Sequence, residues 1–244
     1  MTENSEQHNV QMDKFWNKTT YGLDRLRADT NKSKFFEEAY DEETGETTEK
    51  WNGRTVIGRD KPILGGVYIG AGAREAIVVD EKYGELVPIY NELLNRQQVL
   101  VNGGQNFKTG LLNNVWEITK ERLAYSQEAV DKTVSESAKL SNKEIKDTKV
   151  SLDNFIREGG GVCRHQALLA GYLLEKLIDE GKIQGHVSVD RNSIPGAGGH
   201  AWVRYTNSAG NVYIIDPAQE YIGSLDNNAD EDRWFYERPE DIQK

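Results

Sequence analysis

The stretch from Val150 to Pro217 limits the possible folds most, because one helical pattern is followed there by two strand patterns. In the helical pattern, steps of four, three, four and three residues place small or apolar side chains on one face. These are Cys163, Ala167, Ala170, Leu174 and Leu177. Gly181 follows as a helix stop. The pattern predicts a buried helix that begins near Cys163.

Two segments with strand-like alternation follow this helix. Residues 198–205 alternate along the chain, residues 207–210 are turn formers, and residues 211–216 return as a second strand. Pro217 closes that strand because it cannot donate a hydrogen bond to a sheet. A turn centred near Ser208 gives three directly opposed pairs: His200 with Asp216, Trp202 with Ile214, and Arg204 with Val212. A one-residue slip would break this alignment.

The position of Cys163 favours a reactive thiol. It follows the glycine loop 159–161 and lies in the first turn of the predicted helix. Unpaired N–H groups and the helix dipole stabilise an anion there, and the thiolate is the nucleophilic form of cysteine. The same N–H groups are suited to hold an oxyanion, and the glycines let a substrate backbone come close. The competing interpretation is a small buried hydrophobe, the usual role of a free cysteine.

Cys163, His200 and Asp216 together fit the general scheme of nucleophile, base and orienting acid. An imidazole and a carboxylate opposed across two strands are close enough to hydrogen-bond. Trp202 and Ile214 are expected to share the face of His200, pack on the Cys163 helix and limit water around the pair. The competing interpretation is a surface hairpin pair of little value. The coincidence of three parts favours a catalytic triad.

These residues resemble the transglutaminase-like superfamily of papain-like thiol enzymes. Three segments carry the resemblance, in that superfamily's order: residues 161–169 (GVCRHQALL), 199–203 (GHAWV) and 215–217 (IDP). The first looks most like the CRHxALL type, similar to the peptidase-like domain ahead of some plant kinases and to bacterial members. The resemblance covers residues 150–222 and implies an α+β, papain-like fold, with a nucleophile-bearing helix packed on an antiparallel sheet.

The resemblance also implies roles: Cys163 as nucleophile, His200 as general base and acid, and Asp216 as orienter. Members of the superfamily cleave peptides, deamidate or cross-link glutamine, or have lost activity. The zinc-binding cysteines of the peptide-N-glycanase branch are absent, and no segment matches the calcium-binding parts of animal transglutaminases. The sequence therefore predicts a thiol-dependent hydrolase or acyl transferase that acts, through a thioester, on an amide of a protein or peptide. The alternative is a catalytically silent binding module.

The second oxyanion donor is not identified by the sequence. Papain-like enzymes place a glutamine shortly before the cysteine, whereas Asn154 and Arg157 occupy that neighbourhood here. Gln105 or Asn106, in a glycine-containing loop, is the candidate that remains.

The other polar residues near the motifs are interpreted mainly as structural. Arg164 either supports the thiolate or caps a carboxylate, and the second role is favoured. His165 lies two residues beyond Cys163 and points away from it on a helix. His186 lies in a predicted strand at 185–189. A metal site that combines Cys163 with His165, His186 and His200 is the rival chemistry, but no pair has zinc-like spacing, so neither metal nor cofactor is expected.

The rest of the chain is organised around this segment. Residues 1–50 are interpreted as a polar N-terminal arm with a short helix near 12–27, and residues 51–110 as a mixed α/β subregion whose membership of the same domain stays open. Residues 111–244 form the predicted catalytic core with a long leading helix at 111–140. Short strands are expected at 51–57, 63–69 and 76–79, and a helix at 83–94.

Composition narrows the partners and the compartment. The net charge of −10 argues against a nucleic-acid partner, which requires a basic face. A single cysteine rules out an intramolecular disulfide and a multi-cysteine zinc site, and it favours a reducing compartment. Neither a membrane-spanning run nor a secretory signal pattern is present, so a cytoplasmic protein is expected, although export without such a signal stays open. The oligomeric state is left open.

Overall fold

The computed structural model describes residues 35–40, 42, 47–70, 74–194, 198–226 and 234–242. The predicted helix near 12–27 lies outside these residues. Within them the chain is α+β, with mainly antiparallel strand pairing, which confirms the predicted class. No helix in the described part of the chain has both the length and the apolar character needed to cross a bilayer.

Strands and helices alternate along the described chain. The strands are β1 (Phe36–Tyr40), β2 (Thr47–Trp51), β3 (Arg54–Thr55), β4 (Val67–Ile69), β5 (Ala76–Val78), β6 (Ala124–Tyr125), β7 (Lys149–Ser151), β8 (Gly160–Gly161), β9 (Gly185–Ile194), β10 (Gly198–Asn207), β11 (Val212–Asp216) and β12 (Tyr221–Ser224). The α-helices are α1 (Leu86–Asn102), α2 (Leu111–Arg122), α3 (Gln127–Ser141), α4 (Leu152–Glu158), α5 (Cys163–Asp179) and α6 (Pro239–Ile242).

Helix α5 packs on one face of a four-stranded antiparallel sheet in the order β12-β11-β10-β9. The spacing of small and apolar residues predicted this helix correctly. Gly181 follows its end with a left-handed backbone (φ +68°), which glycine adopts without steric cost. The sheet face against α5 is apolar: Val189 from β9, Val203 from β10 and Ile215 from β11 are fully buried in the same core as the helix. The periodicity understates this burial, because nearly every residue from Arg164 to Leu174 is buried.

The β10–β11 hairpin differs in register from the predicted one. Arg204 lies opposite Ile214 rather than Val212, a shift of two residues. Five residues, 207–211, lie between the last paired residues, Thr206 and Val212, where the sequence had predicted a turn centred on Ser208. The Asn207 side chain accepts hydrogen bonds there from the N–H groups of Ala209 and Asn211. Because side chains repeat every two residues along a strand, the shift leaves His200 and Asp216 on the same face.

On that shared face, Trp202 and Ile214 lie outside the core that contains α5, so their expected packing on this helix is wrong. Both are fully buried in a separate cluster with Leu225 and Tyr236. Alternation explains the result: Ala201 and Val203 face the helix, so their neighbours face the other way. The residues just before α6 pack against the rest of this second cluster.

The predicted long helix at 111–140 is two helices. Leu123 leaves the helical conformation (φ −134°, ψ 75°), and the chain forms β6 before the Ser126 side chain caps α3 by accepting from the Ala129 N–H. The two-residue strand β6 pairs in parallel with β8, the pair of glycines just before α5. The hydrophobic stripe keeps its helical phase across the break. The sequence pattern therefore does not indicate this strand.

The remaining elements surround the same core. Strands β4, β5 and β7 form a three-stranded sheet, and β1, β2 and β3 form another. The predicted strand at 76–79 is confirmed, the one at 63–69 is reduced to β4, and the one at 51–57 is replaced by a tight hairpin between β2 and β3. The helix expected at 83–94 begins at Leu86 and continues to Asn102. Apolar residues of the 51–110 subregion, such as Ile63 and Leu93, belong to the same buried core as α5.

Candidate functional site

Cys163, His200 and Asp216 come together at the point where β11 ends. The Nε2 atom of His200 lies 2.5 Å from Oδ2 of Asp216, and the same imidazole hydrogen-bonds the Cys163 thiol. The histidine and the aspartate are buried, whereas the cysteine is partly exposed. The three side chains therefore form one hydrogen-bonded series that ends in a partly exposed cysteine.

The sheet is open where the sulfur lies. The last β10–β11 pair is Val203 with Ile215, so the beginning of β10 continues past the end of β11. The Ala201 N–H, in this part of β10, donates to the Cys163 sulfur. Cys163 therefore lies beside the beginning of β10, in contact with His200 and Ala201, at the N-terminus of α5.

The glycines before α5 have a different role from the expected flexible loop. Gly160 and Gly161 are buried in β8, and a Cβ on Gly160 would lie 2.4 Å from the Ala129 Cβ. A Cβ on Gly161 would lie 2.8 Å from the Cβ of His165. These contacts require glycine for close packing against α3 and α5. They hold the first turn of α5 in place.

The electrostatics of the site favour a thiolate paired with an imidazolium. Burial disfavours the charged form of Cys163, but the hydrogen bond and charge of His200 outweigh it and lower the pKa of the thiol. Burial likewise acts to lower the pKa of His200, but hydrogen bonds to Asp216 and Cys163 raise it to about 9. Each partner therefore stabilises the charged form of the other at neutral pH.

Two aromatic residues near the C-terminus complete the surroundings of the triad, and the motifs did not reveal them. The Tyr236 hydroxyl donates to Oδ2 of Asp216 at 2.8 Å, while Oδ1 accepts from the Gln219 N–H. The Trp234 ring lies 4.7 Å from the His200 ring, centroid to centroid, and its Nε1 donates to Asn192. The aromatic run at 234–236 was the available signal, but its sequence distance from the motifs hides the contact.

Arg164 and His165 are structural, as expected. Arg164 is buried and donates to the buried Glu75 at 2.6 Å, so it caps a carboxylate. The Nδ1 atom of His165 accepts from the Val162 N–H at 3.1 Å, and its ring packs on Phe155. Burial lowers the pKa of His165 to about 4, so this imidazole is neutral at pH 7.

The histidines of the rival metal site are not assembled. His186 pairs with Asp60 at 3.0 Å on the surface, and His165 lies behind the nucleophile with Glu75. Among the residues that the structure describes, no group of three or more histidine, cysteine, aspartate or glutamate side chains is placed to hold a metal ion.

The candidates for the second oxyanion donor lie elsewhere. Gln105 and Asn106 precede α2, while Leu123 at its other end accepts a hydrogen bond from Gln166 in the first turns of α5. A twelve-residue helix is about 18 Å long. Asn154 accepts from Arg157 on α4, and Arg157 also pairs with Glu85 at 3.2 Å. The expected candidates therefore do not supply this group.

Comparison with known proteins found no matching family model, curated protein or solved structure. The geometry of the site is thus the basis for a functional proposal.

Proposed function

We propose that the chain is a thiol-dependent hydrolase or acyl transferase with a papain-like, transglutaminase-like arrangement, acting on an amide of a protein or peptide. One observation carries the proposal: a partly exposed thiol at the N-terminus of a buried helix hydrogen-bonds a histidine that a buried aspartate orients. This combination meets the geometric requirements of an activated nucleophile.

The first half of the reaction forms a thioester. The Cys163 sulfur attacks the amide carbonyl carbon, a C–S bond forms, and the π electrons of the carbonyl move onto its oxygen. When this oxyanion collapses, the C–N bond breaks and the amine leaves with the proton held by His200. The first N–H groups of α5 have no acceptor within the helix and favour negative charge at this end of it.

The second half releases the acyl group. His200 accepts a proton from water as the oxygen adds to the thioester carbon, the C–S bond breaks, and the thiolate and imidazolium are restored with a carboxylic acid as product. An amine in place of water gives an exchanged amide. Proteolysis, glutamine deamidation and cross-linking therefore share one mechanism and differ in the acyl donor and the acceptor.

Asp216 acts through His200. Its Oδ2 atom holds the Nε2 proton, which leaves Nδ1 to exchange a proton with the sulfur and the substrate. The Tyr236 hydroxyl on the same oxygen fixes the carboxylate in place.

The experiment measures the rate of iodoacetamide alkylation of Cys163 against pH. The pKa of a free thiol is about 8.5. Alkylation of the wild type is expected to stay fast well below this pH, whereas alkylation of His200→Ala is expected to slow there. His186→Ala is the matched control, because His186 also pairs with an aspartate but lies on the surface. An ordinary thiol profile in the wild type would contradict the proposal and leave a silent binding module as the better description.

A further inference from the structure

Tyr125 lies beside the nucleophile although its sequence position gives no indication of this. It is the second residue of β6 and pairs with Gly161, two residues before Cys163. Neighbouring strands lie about 4.8 Å apart, so the tyrosine begins one strand away from the entry to α5. The pairing is held by the Ser126 N–H, which donates to the Gly161 carbonyl at 2.8 Å.

The face of β6 that carries Tyr125 is the face on which the first turn of α5 lies. Leu123, two residues earlier, shares this face, and a Cβ on Gly161 would contact both Leu123 and His165. Leu123 is fully buried there, whereas Tyr125 is 62% exposed. Tyr125 thus projects from the face next to the start of the helix, with most of its side chain in solvent.

The surroundings of the phenol are those of the active site. Partial burial, followed by the negative charges of Cys163 and Asp216, raises the pKa of Tyr125, while Arg164 and Arg74 oppose the effect. A raised pKa keeps the hydroxyl protonated at neutral pH. The group is therefore available as a hydrogen-bond donor, and it lies within electrostatic range of the sulfur.

An amide hydrolase of this kind needs a second donor for the oxyanion. The N–H groups of Cys163 and Arg164, at the first two positions of α5, have no acceptor within the helix and provide one side of such a site. The side-chain donor normally expected before the cysteine is absent, and the alternatives at Gln105 and Asn106 lie at the far end of α2.

We propose that the Tyr125 hydroxyl is the side-chain donor to the oxyanion formed on the acyl carbon bound to Cys163. This inference rests on the proposed function and adds a catalytic residue to it. It also limits the substrate, because the carbonyl oxygen must lie on the β6 side of the sulfur and the leaving group on the His200 side.

Two reactions of the same thiolate test the assignment. Acetylation by p-nitrophenyl acetate places negative charge on the carbonyl oxygen before p-nitrophenolate leaves. Alkylation by iodoacetamide displaces iodide from a saturated carbon and forms no oxyanion. Because Cys163 is the single cysteine in the chain, both reactions report on one site.

Tyr125→Phe removes only the hydroxyl. Acetylation is expected to slow by about tenfold or more, towards the 10²–10³-fold effects of losing an oxyanion-hole donor, while the alkylation rate and its pH profile stay those of the wild type. Tyr83→Phe is the matched control: Tyr83 is also exposed, and its 3₁₀ turn contacts Lys176, about 20 Å along α5 from Cys163.

The outcomes separate this inference from the proposed function. Equal acetylation rates in Tyr125→Phe and the wild type would overturn the role of Tyr125 while leaving the nucleophile intact. A parallel loss of acetylation and alkylation would also overturn it, because the hydroxyl would then act on the thiolate rather than on the oxyanion. An ordinary, unactivated thiol in the wild type would overturn both proposals.

Discussion

Asp216→Asn removes the charge that holds His200 protonated while preserving the size of the side chain. The wild-type pKa of His200 is about 9, against an ordinary value of 6.5. At about 1.4 kcal/mol for each pKa unit, this difference corresponds to about 3 kcal/mol in favour of the imidazolium. The hydrogen bond to Asp216 is the largest favourable contribution. Without it, burial opposes the charge, and the pKa of His200 is expected to fall to roughly 6.5 or below.

The consequence for the thiol follows from the direction of these changes. In the wild type, the thiolate forms as pH rises through the lowered pKa of Cys163. Turnover by the proposed mechanism is expected to fall as pH rises through about 9, where His200 loses the proton that the leaving amine needs. In Asp216→Asn the imidazolium no longer supports the thiolate near neutrality. We expect iodoacetamide alkylation at pH 6 to slow by roughly 10- to 300-fold, the upper value corresponding to loss of the whole rise in the pKa of His200.

The assay is the full pH profile of alkylation for Asp216→Asn beside Glu220→Gln. The control also removes one negative charge, four residues from Asp216. Glu220 is exposed, pairs with Lys120 and does not touch the imidazole. Its profile is expected to match that of the wild type. A wild-type rate at pH 6 in Asp216→Asn would refute the coupling between the carboxylate and the ion pair. A slow rate in both variants would show that the net charge of the region, rather than this hydrogen bond, sets the reactivity.

Three further variants test the packing around the site by urea denaturation. Glu75→Gln leaves Arg164 buried without a counter-charge and is expected to lower the free energy of unfolding by about 3–5 kcal/mol, whereas a loss below about 1 kcal/mol would argue against a buried ion pair. Arg238→Met leaves the fully buried Asp190 without its cation and should cost a similar 3–5 kcal/mol; unchanged stability would mean that the C-terminal segment is not anchored there. Ser126→Ala removes the cap of α3 and should cost about 1 kcal/mol, and no measurable change would contradict the capping contact.

Local patterns predicted the elements of the site because those patterns act over one or two turns. The spacing of apolar residues after Cys163 identified α5, and the alternation around His200 identified β10. The local patterns failed at Leu123 for the same reason. The apolar stripe keeps its helical phase there, so it does not reveal a two-residue strand that is stabilised by pairing with distant glycines. Register was equally inaccessible, since it depends on side-chain hydrogen bonds inside the turn.

The surroundings of the triad were beyond prediction because they depend on contacts between distant segments. Glu75 reaches Arg164 across 89 positions, and Tyr236 reaches Asp216 across 20. Trp202 is a different case: alternation correctly placed it on the face of His200, but only the structure shows which face the helix covers. Trp202 lines the second core and also stacks on the His200 ring, with centroids 5.9 Å apart, and its strand position alone does not give this combination.

The loop between β10 and β11 has a practical consequence. Exposed tips of this kind are ordinarily permissive sites for affinity tags and fused domains. Here the loop sets which residue of β11 faces each residue of β10, and it does so about 20 Å from His200, six residues along the strand. An insertion that alters the pairing by one residue would turn the aspartate to the wrong side, and one that alters it by two would slide it about 7 Å along β10. A fusion at residues 207–211 is therefore compatible with an intact site only if the inserted domain returns its ends at the spacing of the native loop.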